Sequence, residues 1–400
     1  MMKKRSQSRT VYLIAGTVCL LFIGIIYAWS ILRAPLCGEY GWNSAQAGLN
    51  YTITIWMFVA GIVACGWLSG RISKRKLVAI GSIITGGAYM LSPVLLGDKA
   101  ITLYLFYGAL SGFGTGLAYN AVISAVTAWF PDKKGLCSGI LMLGFGSSTL
   151  VLGSSVSRML NSGITWQRSF LLVGAAIVVI GALSAVIIRE AEPAAPSENA
   201  AEADDKGDVP TKMMVKTGAF WYFFLFAVFL AAVGSVAITF GKDIFIVTGA
   251  GEQLAVSMVG YVSICNGLGR LLCGALSDTA GLRRTLVIAS LLALAAPALM
   301  LISIYEKSIA LAACGGLLAG LSYGFAPTLT AVFIRCRFGS RYFPKNYSLA
   351  NTSLLPASLS STAAGALLQS SGSFVTPFVM LIIVAALGVI TAVLTGRTVK

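Results

Sequence analysis

The chain contains no histidine and very little charge: only 11% of its 400 residues are Asp, Glu, Lys or Arg. Without histidine there is no imidazole to ligate a metal or to relay protons near neutral pH. A soluble domain carries about a quarter charged residues, so too few are present to cover a water-facing surface of this size. The eight cysteines (Cys19, Cys37, Cys65, Cys137, Cys265, Cys273, Cys314 and Cys336) never fall in C-x-x-C spacing. Scattered mostly through apolar runs, they read as small buried hydrophobes. No phosphate-binding glycine loop occurs, which argues against ATP drive. The net charge of +15 is not laid out as a basic groove interleaved with stacking aromatics, so nucleic acid is not an expected partner.

What the chain has instead is long apolar runs. Residues 11–32, 169–188, 217–241, 285–305 and 308–334 hold no charge, and about 20 such residues suffice to cross a bilayer. Segmenting by charge, length and Gly/Pro punctuation predicts twelve spans: 11–33, 47–69, 77–96, 101–129, 136–158, 169–188, 217–240, 254–276, 284–304, 308–334, 347–369 and 373–395. The basic N-terminus and the length of the first run mark a retained span rather than a signal peptide. With both termini in the cytoplasm, 22 Lys and Arg fall on the cytoplasmic side, six on the outer side, and one, Arg270, inside a span. Positive charge favours the inside, so the expected protein is a multi-pass inner-membrane chain with N and C termini cytoplasmic. Residues 189–216 hold seven of the 14 acidic residues and three prolines but no aromatic. Such a stretch is expected to be a flexible cytoplasmic linker. It separates an N-terminal six-helix bundle (1–188) from a C-terminal one (217–400).

The halves echo each other. Gly108, Gly112 and Gly116 recur as Gly316, Gly320 and Gly324, an offset of 208 residues. Spacing by four puts each trio on one helix face, where neighbouring helices can approach closely. The segment Gly66-x-x-x-Gly70 with Lys74 and Arg75 loosely matches Gly274-x-x-x-Asp278 with Arg283 and Arg284. Duplicated six-helix halves suit a carrier with its site between them.

At these residues the sequence resembles the major facilitator superfamily, whose signature loop is carried as GWLSGRISKRK (66–76) and GALSDTAGLRR (274–284). Within it, the chain resembles the oxalate/formate antiporter family, relatives of the monocarboxylate transporters. The stretches concerned are IGIIYAWSIL (23–32), GFGTGLAYNAVISAVTAWFPDKKGLCSGI (112–140), NGLGRLLCGALSD (266–278) and NYSLANTS (346–353). The resemblance implies an all-α membrane protein of twelve helices in two pseudo-symmetric bundles, and a secondary carrier of a small organic anion. Two departures matter. The lysine that pairs with the span-eight arginine in oxalate carriers falls near Leu354, and 346–369 contains no Lys or Arg. The acid found one turn before that arginine in proton-coupled relatives is Asn266 here.

Arg270 is the sharpest feature. It lies eight residues from Asp278, about 12 Å into the hydrocarbon at about 1.5 Å per residue. An arginine there costs at least about 2.5 kcal/mol, which a carboxylate held by the guanidinium fork would offset. The bland reading is an arginine that snorkels to the headgroups. Tyr27, Tyr119, Tyr323 and Trp29 could complete an anion cage, or pack between helices. Asn266, Asn120 and Asn351 could bind substrate or bridge helices, and Asn266 lies one turn from Arg270. Asp278, Arg283 and Arg284 could form a cytoplasmic latch, or be ordinary loop charge. Asp243 is the one acid near the pathway, with an ordinary pairing to Lys242 as its alternative. A membrane-embedded enzyme lacks any His, Asp or Glu at depth to serve it. The expectation is therefore no enzyme, no cofactor and no metal, but a monomeric carrier amid membrane lipids that binds a monocarboxylate at Arg270. A proton-coupled symporter and a non-transporting sensor on a carrier fold remain open alternatives.

Overall fold

The computed structural model describes residues 2–69, 71–130, 133–190, 208–339 and 341–398. Gly70, and residues 191–207 of the expected linker, lie outside the described residues. Twelve helical runs cover nearly all the rest. They are α1 (Arg9–Tyr40), α2 (Ser44–Leu68), α3 (Lys74–Leu95), α4 (Ala100–Thr127), α5 (Leu136–Asn161), α6 (Trp166–Ile187), α7 (Gly218–Val247), α8 (Glu252–Ala280), α9 (Leu282–Glu306), α10 (Ile309–Phe338), α11 in two pieces (Phe343–Asn351 and Leu354–Ser371) and α12 (Val375–Thr398). Eleven are long and apolar enough to cross a membrane. The other, α11, is broken at Thr352 and Ser353, so neither piece alone is a long apolar rod.

Local chemistry sets the ends. Asn43 and Gln46 form a reciprocal capping box at the start of α2, satisfying two otherwise orphaned N–H groups. Thr165, Thr217 and Ser308 cap α6, α7 and α10 with their hydroxyls. Gly41 stops α1 in the left-handed conformation (φ +66°), which glycine adopts without strain. That stop lies beyond the expected border at 33, so Arg33 sits inside a helix and is buried rather than lying in an outer loop. Apolar side chains such as Val94, Val179, Leu183, Val186 and Ile390 cover the outside of the bundle, as contact with lipid tails requires. Of the cysteines, Cys314 and Cys336 are exposed rather than buried.

The repeat is physical. A Cβ on Gly112 would come within 2.3 Å of the Thr54 carbonyl, and one on Gly116 within 2.0 Å of Phe58's. In the second half, Gly320 meets the Val262 carbonyl at 2.2 Å and Gly324 meets that of Asn266 at 2.1 Å. Each carbonyl partner moves by the same 208 positions as its glycine. Backbone-to-backbone contact thus locks α2 to α4 in one half and α8 to α10 in the other. Arg75 donates to the Ala185 and Val186 carbonyls at the end of α6. Arg283, its counterpart, lies along Gly396 near the end of α12.

Among the described residues, α1 of the first half meets α7 of the second, and two further seams between the halves are lined by glycine contacts. In one, α2 and α11 run together from the loop face opposite the basic loops, here the far face. Gly365 abuts Ser44, and Gly48 abuts Ser361. Thr52 donates to the Ser358 carbonyl at 2.7 Å, and Trp56 to that of Leu355 at 2.9 Å. In the other, α5 packs on α8 through Gly146 against Ser263 and Gly267 against Leu143.

The expected linker is not uniform. Residues 208–216 are docked: the Val209 N–H donates to the Phe338 carbonyl at 3.0 Å. Thr211 bonds Asn346, which in turn donates to the Val209 carbonyl. Within the short helix Thr211–Met214, Met214 is wholly buried. The acids and prolines that suggested a free tether lie mainly upstream, whereas Val209, Met214 and Val215 are apolar and find a pocket.

Candidate functional site

The candidate residues gather between the halves, part-way along the helices that carry them. Arg270 is half-buried on α8, held beside α10 by the close approach of Gly324 to the Asn266 backbone. Its guanidinium donates to the Tyr119 hydroxyl of α4 at 2.7 Å, a contact that crosses from one half to the other. Tyr27 and Tyr347 are the other phenols close enough to act on its charge, and Tyr323 also lies within reach. Tyr27 is carried on a five-residue 3₁₀ segment, Gly24–Ala28, within α1. Such mid-helix tightening often marks a working position. A Cβ on Gly24 would strike the Phe145 carbonyl at 2.4 Å, so glycine permits α5 to pack there. Rings close the cage: Tyr119 packs on Phe145 at 5.0 Å and on Phe58 at 5.4 Å, and Tyr27 on Phe145 at 5.1 Å and on Tyr323 at 6.3 Å.

Two polar atoms around this cage are enclosed and unpartnered, Arg270 Nε and Asn266 Oδ1, while the Tyr51 hydroxyl lies beside that of Tyr323. A buried orphan polar group is costly, about 1–3 kcal/mol and more when charged. Two in one cluster, one of them on a cation, fit a ligand that supplies their partners. No carboxylate pairs with Arg270 among the described residues; the ion pairs join Arg33 to Asp243 and Lys242 to Glu252. The arrangement is one cation, a ring of phenols and no counter-charge, which suits an anion with one carboxylate.

Of the sequence-derived residues, Arg270, Asn266, Tyr27, Tyr119 and Tyr323 come together. Trp29 does not: its indole donates to the Ala47 carbonyl at 3.0 Å and packs on Tyr107, away from the cage. Asn120 bridges helices, donating to the Ile62 carbonyl at 3.0 Å. Asn351 is half-buried at the break in α11 and makes no side-chain hydrogen bond to a described residue. The latch is not assembled either. Asp278 is exposed and unpaired among the described residues, Arg284 is exposed, and Arg283 serves its own half. Asp243 pairs with Arg33, not with Lys242.

Two cage residues escaped sequence reasoning, Tyr51 and Tyr347. Both lie near expected span borders, where a tyrosine reads as an interfacial anchor. The usable signal for Tyr347 was its place at the head of NYSLANTS.

A family model described as the Major Facilitator Superfamily matches residues 13–356. An uncharacterized transporter of this type from Escherichia coli, YhjX, is 24% identical over 356 residues, covering 87% of this chain and 86% of its own length. The oxalate:formate antiporter of Oxalobacter formigenes is 25% identical over 391 residues, covering 93% of this chain and 88% of its own. The crystal structure of a D-xylose-proton symporter superposes with a TM-score of 0.74 at 15% identity, covering 98% of each chain.

Proposed function

The chain belongs to the major facilitator superfamily, and from that premise we propose that it carries a small monocarboxylate across the cytoplasmic membrane by alternating access, with Arg270 as the anion-binding residue. The observation that carries this reading is the unpartnered Arg270 Nε beside the Tyr119 bond, with no carboxylate to neutralise it. A carboxylate accepts two parallel bonds from a guanidinium edge, and Arg270 offers such an edge. Tyr27, Tyr323, Tyr347 and Asn266 shape the cage around the remainder of the anion. Leu354 is half-buried where oxalate carriers of the resembled family have a lysine, so a second negative charge finds no partner and is expensive at low dielectric.

The 1–188 and 217–400 bundles rock about this site as a monomer, with the basic loops facing the cytoplasm. The seam from Ser44 to Leu355 closes the far side, while Arg270 and Tyr347 remain half-buried. Exchange or facilitated passage fits better than proton symport. No acid among the described residues lines the cage, the chain has no histidine, and Asp243 is engaged with Arg33. The test is uptake into proteoliposomes across a panel of carboxylates by wild type and Arg270→Gln. Saturable uptake lost in the variant, with insertion intact, supports the reading; wild-type rates in the variant sink it. Binding without flux in the wild-type protein would favour a sensor.

A further inference from the structure

Among the described residues, Arg33–Asp243 is the only ion pair that joins the two halves. It links α1 to α7 near the far face. Arg33 is 7% exposed, its guanidinium lies over the Phe240 ring at 4.9 Å, and its Nε is enclosed and unpartnered. Lys242 does not compete for Asp243, because it bonds Glu252 at 2.6 Å. Two residues earlier on α1, Ile31 is buried in the second half among Phe245, Val256 and Val259, so an apolar collar surrounds Arg33, while the Asp243 side chain is 38% exposed and open to replacement from the far face. Arg33 is six residues beyond Tyr27, about 9 Å along the helix, and so stands between the cage and the far face.

An opening of the far side that parts α1 from α7 would strip Arg33 of its carboxylate. A guanidinium left unpaired in an apolar collar is strongly disfavoured. The group that Asp243 presents is chemically the same as the group on the transported anion. We propose that Arg33 is a second anion-binding residue: Asp243 occupies it while the far side is shut, and the carboxylate of an incoming anion takes Asp243's place when that side opens. This rests on the reading that the cargo is a carboxylate. It makes the far gate responsive to anion, since the loaded state keeps Arg33 paired throughout.

Cys37 reports on this directly. It lies one turn beyond Arg33, half-buried and in contact with it. The experiment follows labelling of Cys37 by a membrane-impermeant maleimide in right-side-out vesicles, taken as the difference from matched Cys37→Ser proteins. All proteins carry Arg270→Gln, so the central site contributes nothing. Formate, acetate, lactate and oxalate are each tested against chloride at equal ionic strength. Asp243→Asn is expected to speed labelling severalfold, and at least one carboxylate to slow it again. Adding Arg33→Gln should leave labelling fast and abolish the protection. Protection that survives Arg33→Gln, or none in Asp243→Asn, overturns the proposal and leaves the pair as a latch alone. Failure of the Arg270 reading shows separately, as wild-type transport by Arg270→Gln with Arg33 and Asp243 intact.

Discussion

Replacing Arg270 with lysine keeps the charge and removes the fork. The guanidinium now gives one N–H to Tyr119 at 2.7 Å and holds Nε free, so a carboxylate can accept from Nε and the neighbouring Nη together. An ammonium is a point charge that cannot reproduce this planar pair. One hydrogen bond to a charged group contributes about 1.5–3 kcal/mol, and each 1.4 kcal/mol is tenfold in affinity. Losing one of the two bonds should therefore raise the half-saturating concentration about 10- to 150-fold. Arg270→Gln also removes the charge and should show no saturable uptake. The assay is initial counterflow rate against concentration of labelled carboxylate in proteoliposomes, with each variant matched for inserted protein. A lysine variant within twofold of wild type would refute the bidentate geometry. Were the glutamine variant equally active, Arg270 would be a snorkelling residue and the cage would have another purpose.

Further predictions are independent of that one. Leu354→Lys should raise oxalate uptake relative to formate uptake, because it supplies the cation the cage lacks; an unchanged ratio would mean that charge count does not set selectivity. Gly324→Ala should lose transport, since its Cβ would meet the Asn266 carbonyl at 2.1 Å and overpacking costs about 1–3 kcal/mol. Gly316→Ala should be tolerated, because its Cβ meets only side-chain atoms, at 3.1 Å or more; equal transport and equal melting temperatures for the two variants would contradict this. Protease should cut within 191–207 in inverted vesicles but not in right-side-out ones, and the reverse would invert the topology. An inward proton gradient should not drive accumulation of labelled monocarboxylate after correction for free-acid diffusion, whereas preloading with unlabelled substrate should speed uptake; proton-driven accumulation lost in Asp243→Asn would establish symport.

Much of the fold was legible because membrane helices are written in coarse variables: length, charge and small-residue spacing. The glycine trios marked α4 and α10 from sequence as helices that neighbours approach closely; that the partners are α2 and α8, and that Gly112, Gly116, Gly320 and Gly324 make the backbone contacts, came from the structure. Arg270 was legible because a lone charge in an apolar run demands a partner. Other features depended on three-dimensional placement that spacing does not encode. Trp29 and Tyr27 were both candidates for the cage, yet two positions on a helix point about 200° apart, and only the packing shows that Trp29 goes to Tyr107 and Tyr27 to the cage. Arg33 looked like a loop charge because it ends the uncharged run 11–32, yet its helix continues past Pro35 to Tyr40. The docked segment 208–216 was hidden by the composition of its acidic, proline-bearing neighbour.

The cage's single uncompensated cation also bears on electricity. If Arg270 moves relative to the membrane field as the halves rock, the empty carrier moves a positive charge and the carrier holding a monoanion moves none. Each elementary charge carried through 100 mV is worth about 2.3 kcal/mol. One-for-one exchange of monoanions would then be silent to membrane voltage. Return of the empty carrier, or exchange of a dianion for a monoanion, would register as a current whose sign gives the direction of transport.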